Sequence, residues 1–314
     1  MKMIKPSFFI LLILTLSALS LVACTIDQAI TLDPNMKEKP MPANDSKVTI
    51  IAHRGARSLA PENTISAANR AFENHADGWE LDVAMSEDGE LIVLHDDTLE
   101  RTSNVEELFP DRSPWSVYDF SLEDLKKLDL GSWFVDSDPF EQIAQGIVPP
   151  GIVNEYVGEH IPTLREALIY TKNNQWWVNI EIKDASETPA DAVIVSKVVA
   201  LVEELEIQDQ VLISSFNMEY LKQVKSLNKD LPTGVLVNKI IMDPLALMKE
   251  IDAQAFHPGM KVTYEKQVKS LLEAGYNVNV WTVNEESDMQ KLIEMGVTGI
   301  ITDFPQRAFT LLNP

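Results

Sequence analysis

From residue 48 onward, short β-branched runs alternate with stretches whose apolar residues recur every three or four positions. The runs have the pattern of buried strands, and the stretches have the 3.6-residue period of amphipathic helices. Strands are expected at residues 48–53, 79–84, 91–95, 177–183, 211–215, 233–237, 253–257, 277–282 and 298–302. Helices are expected at 64–75, 164–173, 190–206, 218–227, 244–250, 264–274 and 286–295. Strand followed by helix, repeated along the chain, predicts βα units around a parallel sheet.

The count is nine strands, where a closed barrel of this type needs eight. Asp88-Gly89 lies between the second and third. Asp-Gly flanked by apolar runs signals a hairpin, and a hairpin is antiparallel. The run at 91–95 therefore folds back beside the second strand and leaves eight for the barrel. The expected fold is α/β, a (β/α)8 TIM barrel formed by residues 48–314. The alternative is an open doubly wound sheet, which the lack of a Gly-rich turn after the first strand weakens.

Residues 99–162 break the alternation. They are rich in aromatic and turn residues, among them Trp115, Tyr118, Phe120, Trp133, Phe134, Phe140, Pro149 and Pro150. A short helix is expected at 122–128, opening after Ser121. A connection this long inside a barrel is more often functional than a plain loop. It forms an insertion after the second barrel strand and is expected over the barrel mouth.

The N-terminus follows another pattern. Lys2 and Lys5 precede an apolar run at 8–22, which ends in Leu21-Val22-Ala23-Cys24. This resembles a bacterial lipobox, which implies a lipoprotein signal peptide at 1–23, cleavage before Cys24 and lipid on its thiol. An ordinary secretory signal or an uncleaved anchor is the alternative, and the run is short for a stable membrane span. Cys24 is the only cysteine, so it has no disulfide partner. Residues 24–47 carry Pro34, Pro40 and Pro42 without helical or strand period and are expected to be a flexible tether. The expected location is the bacterial cell envelope, outside the cytoplasm, lipid-anchored to a membrane through Cys24.

Hydrophobic residues make up 45% of the 314, ordinary for a chain with a real core. The formal charge of −22 argues against nucleic acid, whose binding is dominated by phosphate neutralisation. An anionic small-molecule substrate remains possible where a cation and local basic residues reverse the sign.

Candidate chemistry falls at predicted strand ends, where barrels of this kind carry their catalytic residues. His53 and Arg54 end the first strand, and His95 ends the added one. Glu80 and Asp82 lie on the second strand, Glu181 and Lys183 on the third barrel strand. Residues two apart on a strand share a face, so each of these last pairs points one way. Three converging carboxylates repel unless something positive sits between them, and an oxygen-only set favours Ca2+ or Mg2+ over zinc. The competing reading is an ion network in which the carboxylates pair with Arg54 and Lys183. Two histidines beside such a set are candidates for general acid and general base.

Seven segments carry a family resemblance. They are His53-Arg54-Gly55, Pro61-Glu62-Asn63-Thr64, Glu80-Leu81-Asp82-Val83, His95-Asp96-Asp97-Thr98-Leu99-Glu100-Arg101-Thr102, Glu181-Ile182-Lys183, Trp281-Thr282-Val283-Asn284 and Gly299-Ile300-Ile301-Thr302-Asp303. In this order they resemble the glycerophosphodiester phosphodiesterase family, from about residue 50 to about 305. The resemblance implies metal-dependent hydrolysis of glycerophosphodiesters, such as glycerophosphocholine, to glycerol 3-phosphate and an alcohol. It implies Glu80, Asp82 and Glu181 as metal ligands, His53 and His95 as the acid/base pair, and Arg54 and Lys183 as phosphate contacts. Thr298 departs from the acidic residue the family often has before Gly-Ile-Ile-Thr-Asp.

Trp281 is expected either to stack on the substrate or to pack the barrel top. Glu62 and Asn63 are expected to cap a helix and pin a loop. His257 is expected to be lining or structural, His75 and His160 to be on the surface, and Gly78 and Gly275 to form helix-to-strand turns. Two alternatives to the diesterase reading remain: phospholipase C- or D-like action on intact lipids, and a lipoprotein that binds a phospho-compound without turnover. The lipid reading predicts exposed apolar residues on the insertion.

Overall fold

The computed structural model describes residues 48–314. The expected signal peptide, Cys24 and the tether lie outside the described residues. Eight parallel strands form a closed barrel: β1 (Thr49–Ala52), β2 (Gly78–Met85), β4 (Val178–Ile182), β5 (Val211–Ser215), β6 (Thr233–Val237), β7 (Ala255–Pro258), β8 (Asn277–Val280) and β9 (Gly299–Thr302). Pairing of β1 with both β9 and β2 closes it. The ninth strand, β3 (Leu91–Val93), lies antiparallel on β2 with Val83 opposite Val93. The Asp88-Gly89 turn thus makes the hairpin expected of it.

The strands are buried almost throughout because both faces are covered. Outward residues such as Ile50, Leu81, Val178 and Ile180 pack under helices α1 (Ile65–Glu73), α6 (Leu164–Asn173), α7 (Ile194–Glu204), α8 (Met218–Leu227), α9 (Pro244–Ile251), α10 (Glu265–Glu273), α11 (Glu286–Met295) and α12 (Pro305–Leu312). Ile51, Trp177, Leu212, Ala255 and Ile301 pack inside the barrel and carry Trp281 against them. Among the described residues, no helix is long and apolar enough to cross a membrane.

Between β3 and α6 the chain forms short helices α2 (Val105–Leu108), α3 (Leu122–Leu125), α4 (Ser132–Ser137) and α5 (Pro150–Tyr156). Ser121 caps α3 through its side chain. This segment has a core of its own, with Leu99, Val105, Val117, Phe120, Leu125, Leu128 and Ile161 packed on Ala84, Ile92 and Leu94 of the hairpin. It is a small layer built on the β2–β3 hairpin. It leans on loops at the C-terminal end of the barrel: Tyr156 Oη donates to Leu59 O at 2.8 Å, and Phe140 meets Phe304 edge-on.

Three expectations change. Helix α12 was not anticipated, although Pro305 at its start is a recognised N-terminal signal. Strand β3 stops at Val93, so His95 stands on the coil just beyond it, where Leu94 N donates to Asp82 O at 3.0 Å. Gly78 opens β2 rather than turning the chain, and a side chain there would run into the Trp177 indole.

Candidate active site

The acidic set is assembled by strand register. Glu80 lies opposite Asn179, and Asp82 opposite Glu181, across β2 and β4. One carboxylate oxygen from each of Glu80, Asp82 and Glu181 lies within 4.8 Å of the others, and all three residues are buried. Glu80 Oε2 accepts from the Arg54 backbone N–H at 2.8 Å, while Glu80 Oε1 is buried without a partner. Asp82 Oδ2 accepts from Asn63 Nδ2 at 2.9 Å and lies 3.3 Å from Arg54 Nε. Lys183 Nζ lies 3.4 Å from Glu181 Oε1 and 3.9 Å from Asp82 Oδ1.

A left-handed turn makes the contact to Glu80 possible. Arg54 has φ 54° and Gly55 φ 77°, which aims the Arg54 N–H back at β2. Gly55 also sits so close to the Ala67 backbone that a side chain would not fit.

The basic groups do not neutralise this set. Burial, with the neighbouring charges of Asp82 and Glu181, pushes the Glu80 carboxyl well above its ordinary range. Burial beside Asp82 pushes Glu181 up to about 7, against the pull of Lys183. Asp82 is buried too, yet Arg54, His95 and Lys183 hold it below the ordinary range. The ion network is therefore real but incomplete. One buried oxygen has no partner, and two carboxyls resist ionisation. A hard divalent cation bound by oxygen ligands fits this donor set.

Each histidine has Nδ1 occupied by a carboxylate. His53 Nδ1 is 2.6 Å from Asp303 Oδ1, and Asp303 Oδ2 accepts from Asn284 Nδ2 at 2.7 Å. His95 Nδ1 is 2.6 Å from Asp96 Oδ1, and Asp96 Oδ2 accepts from Arg101 Nε at 2.6 Å. Both imidazoles line one pocket with Arg54, Glu80, Asn179, Glu181, Lys183, Phe216, Leu236, Trp281 and Ile301. With Nδ1 engaged, Nε2 is the nitrogen left to meet a ligand there. Burial lowers the His53 pKa, although Asp303 works against it.

The structure brings all the expected site residues of the barrel to this pocket or its wall. Arg54 lines it with its guanidinium shared between Glu62 Oε1, at 2.7 Å, and Asp82. Trp281 lines and packs at once: its Nε1 donates to His257 O at 2.7 Å, and its ring stands nearly perpendicular to that of Phe216. His257 lies below, fully buried against Asn279, and burial drops its pKa to about 3. It is a neutral packing group. His75 and His160 are exposed.

Two expectations are corrected. Thr64, not Glu62 or Asn63, caps α1. Asn63 instead orients Asp82 through its amide. Glu62 gathers three arginines, with Arg54 at 2.7 Å, Arg57 at 2.8 Å and Arg101 at 2.6 Å. Sequence reasoning also gave no part to Asp96, Arg101, Asn284 and Asp303. All four stand inside the segments that carried the family resemblance, which was the available signal.

Residues 53–307 match the model of the glycerophosphoryl diester phosphodiesterase family. A glycerophosphodiester phosphodiesterase of Caldanaerobacter subterraneus subsp. tengcongensis is 36% identical over 267 residues, 85% of this chain and 97% of that protein. A glycerophosphodiester phosphodiesterase of Bacillus subtilis is 34% identical over 265 residues, 82% of this chain and 84% of that protein. The solved structure of an Oleispira antarctica phosphodiesterase in complex with the product sn-glycerol-3-phosphate superposes with a TM-score of 0.70 at 29% identity, covering 85% of this chain and 98% of that one. This chain belongs to the glycerophosphoryl diester phosphodiesterase family.

Proposed function

We propose that this protein hydrolyses glycerophosphodiesters to glycerol 3-phosphate and an alcohol, using a divalent cation, Ca2+ or Mg2+, held by Glu80, Asp82 and Glu181. The observation that carries this reading is the pair of histidine–carboxylate dyads facing one pocket across a cluster of three buried carboxylates. The relatives' names and the product in the Oleispira structure support the substrate class.

When bound, the cation supplies Lewis-acid stabilisation of charge on the phosphoryl oxygens. Arg54 and Lys183 add fixed positive charge on the same wall, where a buried setting strengthens it. One histidine takes a proton through Nε2 from the attacking hydroxyl: water gives glycerol 3-phosphate directly, whereas a neighbouring glycerol hydroxyl gives a cyclic phosphate that water then opens with the two histidines exchanging parts. The other returns a proton to the leaving alkoxide. Burial favours the neutral, proton-accepting form of His53, which suits it to the part of the base. Trp281 and Phe216 offer an aromatic wall to the glycerol or to the leaving group. Cys24, with the run before it, supports a lipid anchor in the cell envelope.

The lipid reading draws on a different observation. Ile240 and Met242, 56% and 93% exposed, sit on the loop after β6, and Leu108, Ile147 and Val157 are exposed on the insertion. One assay separates the readings: full-length protein with glycerophosphocholine, and separately with phospholipid vesicles, each with and without EDTA. Release of glycerol 3-phosphate from the soluble diester, stopped by EDTA, is expected. Turnover of vesicles alone supports the lipid reading. Binding without turnover of either removes the enzyme.

A further inference from the structure

The two dyads are supported from different sources. On the His53 side, Asn284 clamps Asp303 twice: its Nδ2 donates to Asp303 Oδ2, and its Oδ1 accepts from the Asp303 N–H at 3.0 Å. Arg57 stands 3.7 Å from Asp303 and is secondary. On the His95 side, Asp96 Oδ2 rests on the guanidinium of Arg101, which is itself part-exposed. Arg101 is held in turn by a bidentate pair to Glu62, Nη2 to Oε1 at 2.6 Å and Nη1 to Oε2 at 3.1 Å. Such a fork fixes the plane and direction of the guanidinium.

Glu62 itself is 4% exposed and lies on the loop between β1 and α1. Burial opposes its charge, but the bonds from Arg101, with Arg54 and Arg57 beside it, hold its carboxyl well below the ordinary range. It is therefore an anchored anion belonging to the barrel, and Arg101 belongs to the segment after β3. Their pairing ties the segment after β3 to the loop between β1 and α1.

We propose that Glu62 is a positioning residue for His95: through Arg101 it fixes Asp96, and through Asp96 it sets the ring orientation and tautomer of His95. The role rests on the diesterase reading for its kinetic consequence, but not for its structural one. Glu62 touches neither substrate nor cation in this scheme, so it is not a catalytic residue. It belongs to the same chain of contacts, Glu62–Arg101–Asp96–His95, that carries the effect.

The structural consequence is read by 15N NMR of the histidine rings in the full-length protein, above the range where the imidazoles ionise. His95 is expected as a single Nδ1–H tautomer. In Glu62→Gln it should average between tautomers while His53 keeps its form. Arg101→Met, which leaves Glu62 paired with Arg54 and Arg57, should reproduce the change if the first variant folds poorly. A fixed His95 tautomer in either folded variant overturns the proposal.

The kinetic consequence is read with glycerophosphocholine and with a glycerophosphodiester of a p-nitrophenol leaving group. Loss of kcat by up to about tenfold is expected for Arg101→Met, no more than for Asp96→Asn, with KM little changed, since a misplaced acid/base group costs rate rather than binding. Its ratio between the two substrates should follow that of His95→Ala and not that of His53→Ala. The double variant Arg101→Met/Asp96→Asn should lose little more than the worse single one, because both cut one path. Fully additive losses, or a substrate ratio following His53→Ala, would defeat the proposal. Wild-type protein without any turnover would defeat the diesterase reading, while the ring tautomers would still decide the role of Glu62.

Discussion

The two halves of the site are built differently. The His53 half comes from neighbouring parallel strands. Ala52 of β1 pairs with Thr302 of β9, and His53 N donates to Thr302 O at 2.9 Å. Asp303 follows Thr302 directly, so the backbone ladder delivers imidazole and carboxylate to the same place. The His95 half begins where a three-residue antiparallel strand ends. Its carboxylate is the next residue in sequence, and that carboxylate depends on a side-chain ion pair. The His95 side chain is 31% exposed against 14% for His53. A barrel wall positions groups through many cooperative backbone bonds. An appended strand must borrow its precision from charged side chains reaching back to the wall.

The comparison breaks most directly at the histidines. Replacing either by alanine should lower kcat on glycerophosphocholine by roughly 100- to 10,000-fold, the range for loss of an acid or base. The melting temperature should hold, since neither ring is part of the apolar core. A variant near the wild-type rate would show that one half alone does the chemistry.

The carboxylates test the support itself. Asp303→Asn and Asp96→Asn keep shape but remove the charge and turn one of two accepting oxygens into an NH2 donor, so each should disturb the tautomer of its own histidine. Losses of roughly 100-fold are expected for Asp303→Asn, which is buried, and about tenfold for Asp96→Asn, which solvent can partly replace. Equal losses in steady-state kinetics would mean that burial does not separate the two halves.

The third test concerns the carboxylates between them. Glu181, at about 7 without the cation, and Glu80, also raised, must lose protons before an ion can bind. Protonation below pH 7 competes with the cation, so affinity should fall as pH falls. Calorimetric titration of full-length protein with Ca2+ or Mg2+ should show a decline of about tenfold per pH unit below 7 for each proton displaced, approaching a hundredfold where both carboxyls are protonated, with proton release on binding. Affinity that is flat from pH 6 to pH 8 would count against this set as the ligands. Asp82, held ionised by Arg54, should contribute nothing to that slope.

What the sequence by itself determined is whatever depends on near neighbours. The two- and 3.6-residue periods mark strands and helices because each is a property of one segment meeting one apolar surface. Asp88-Gly89 marks the hairpin because a two-residue turn needs those backbone angles. Spacing of two along a strand puts Glu80 with Asp82, and Glu181 with Lys183, without knowledge of the rest. The ordered segments named the family, which the match over residues 53–307 bears out.

What only the tertiary structure decided is which distant groups share a charge. His53 and Asp303 are 250 residues apart and meet because β1 closes on β9. Glu62 reads as a helix-start residue in sequence because it stands two places before the true cap, Thr64. Its three arginines come from the β1 turn and from the far side of the hairpin, and no local pattern announces them. The buried oxygen of Glu80 without a partner is likewise a fact of the closed barrel. Periodicity records how a segment meets water. Ion pairing between segments depends on closure, burial and register, which exist only once the chain has folded.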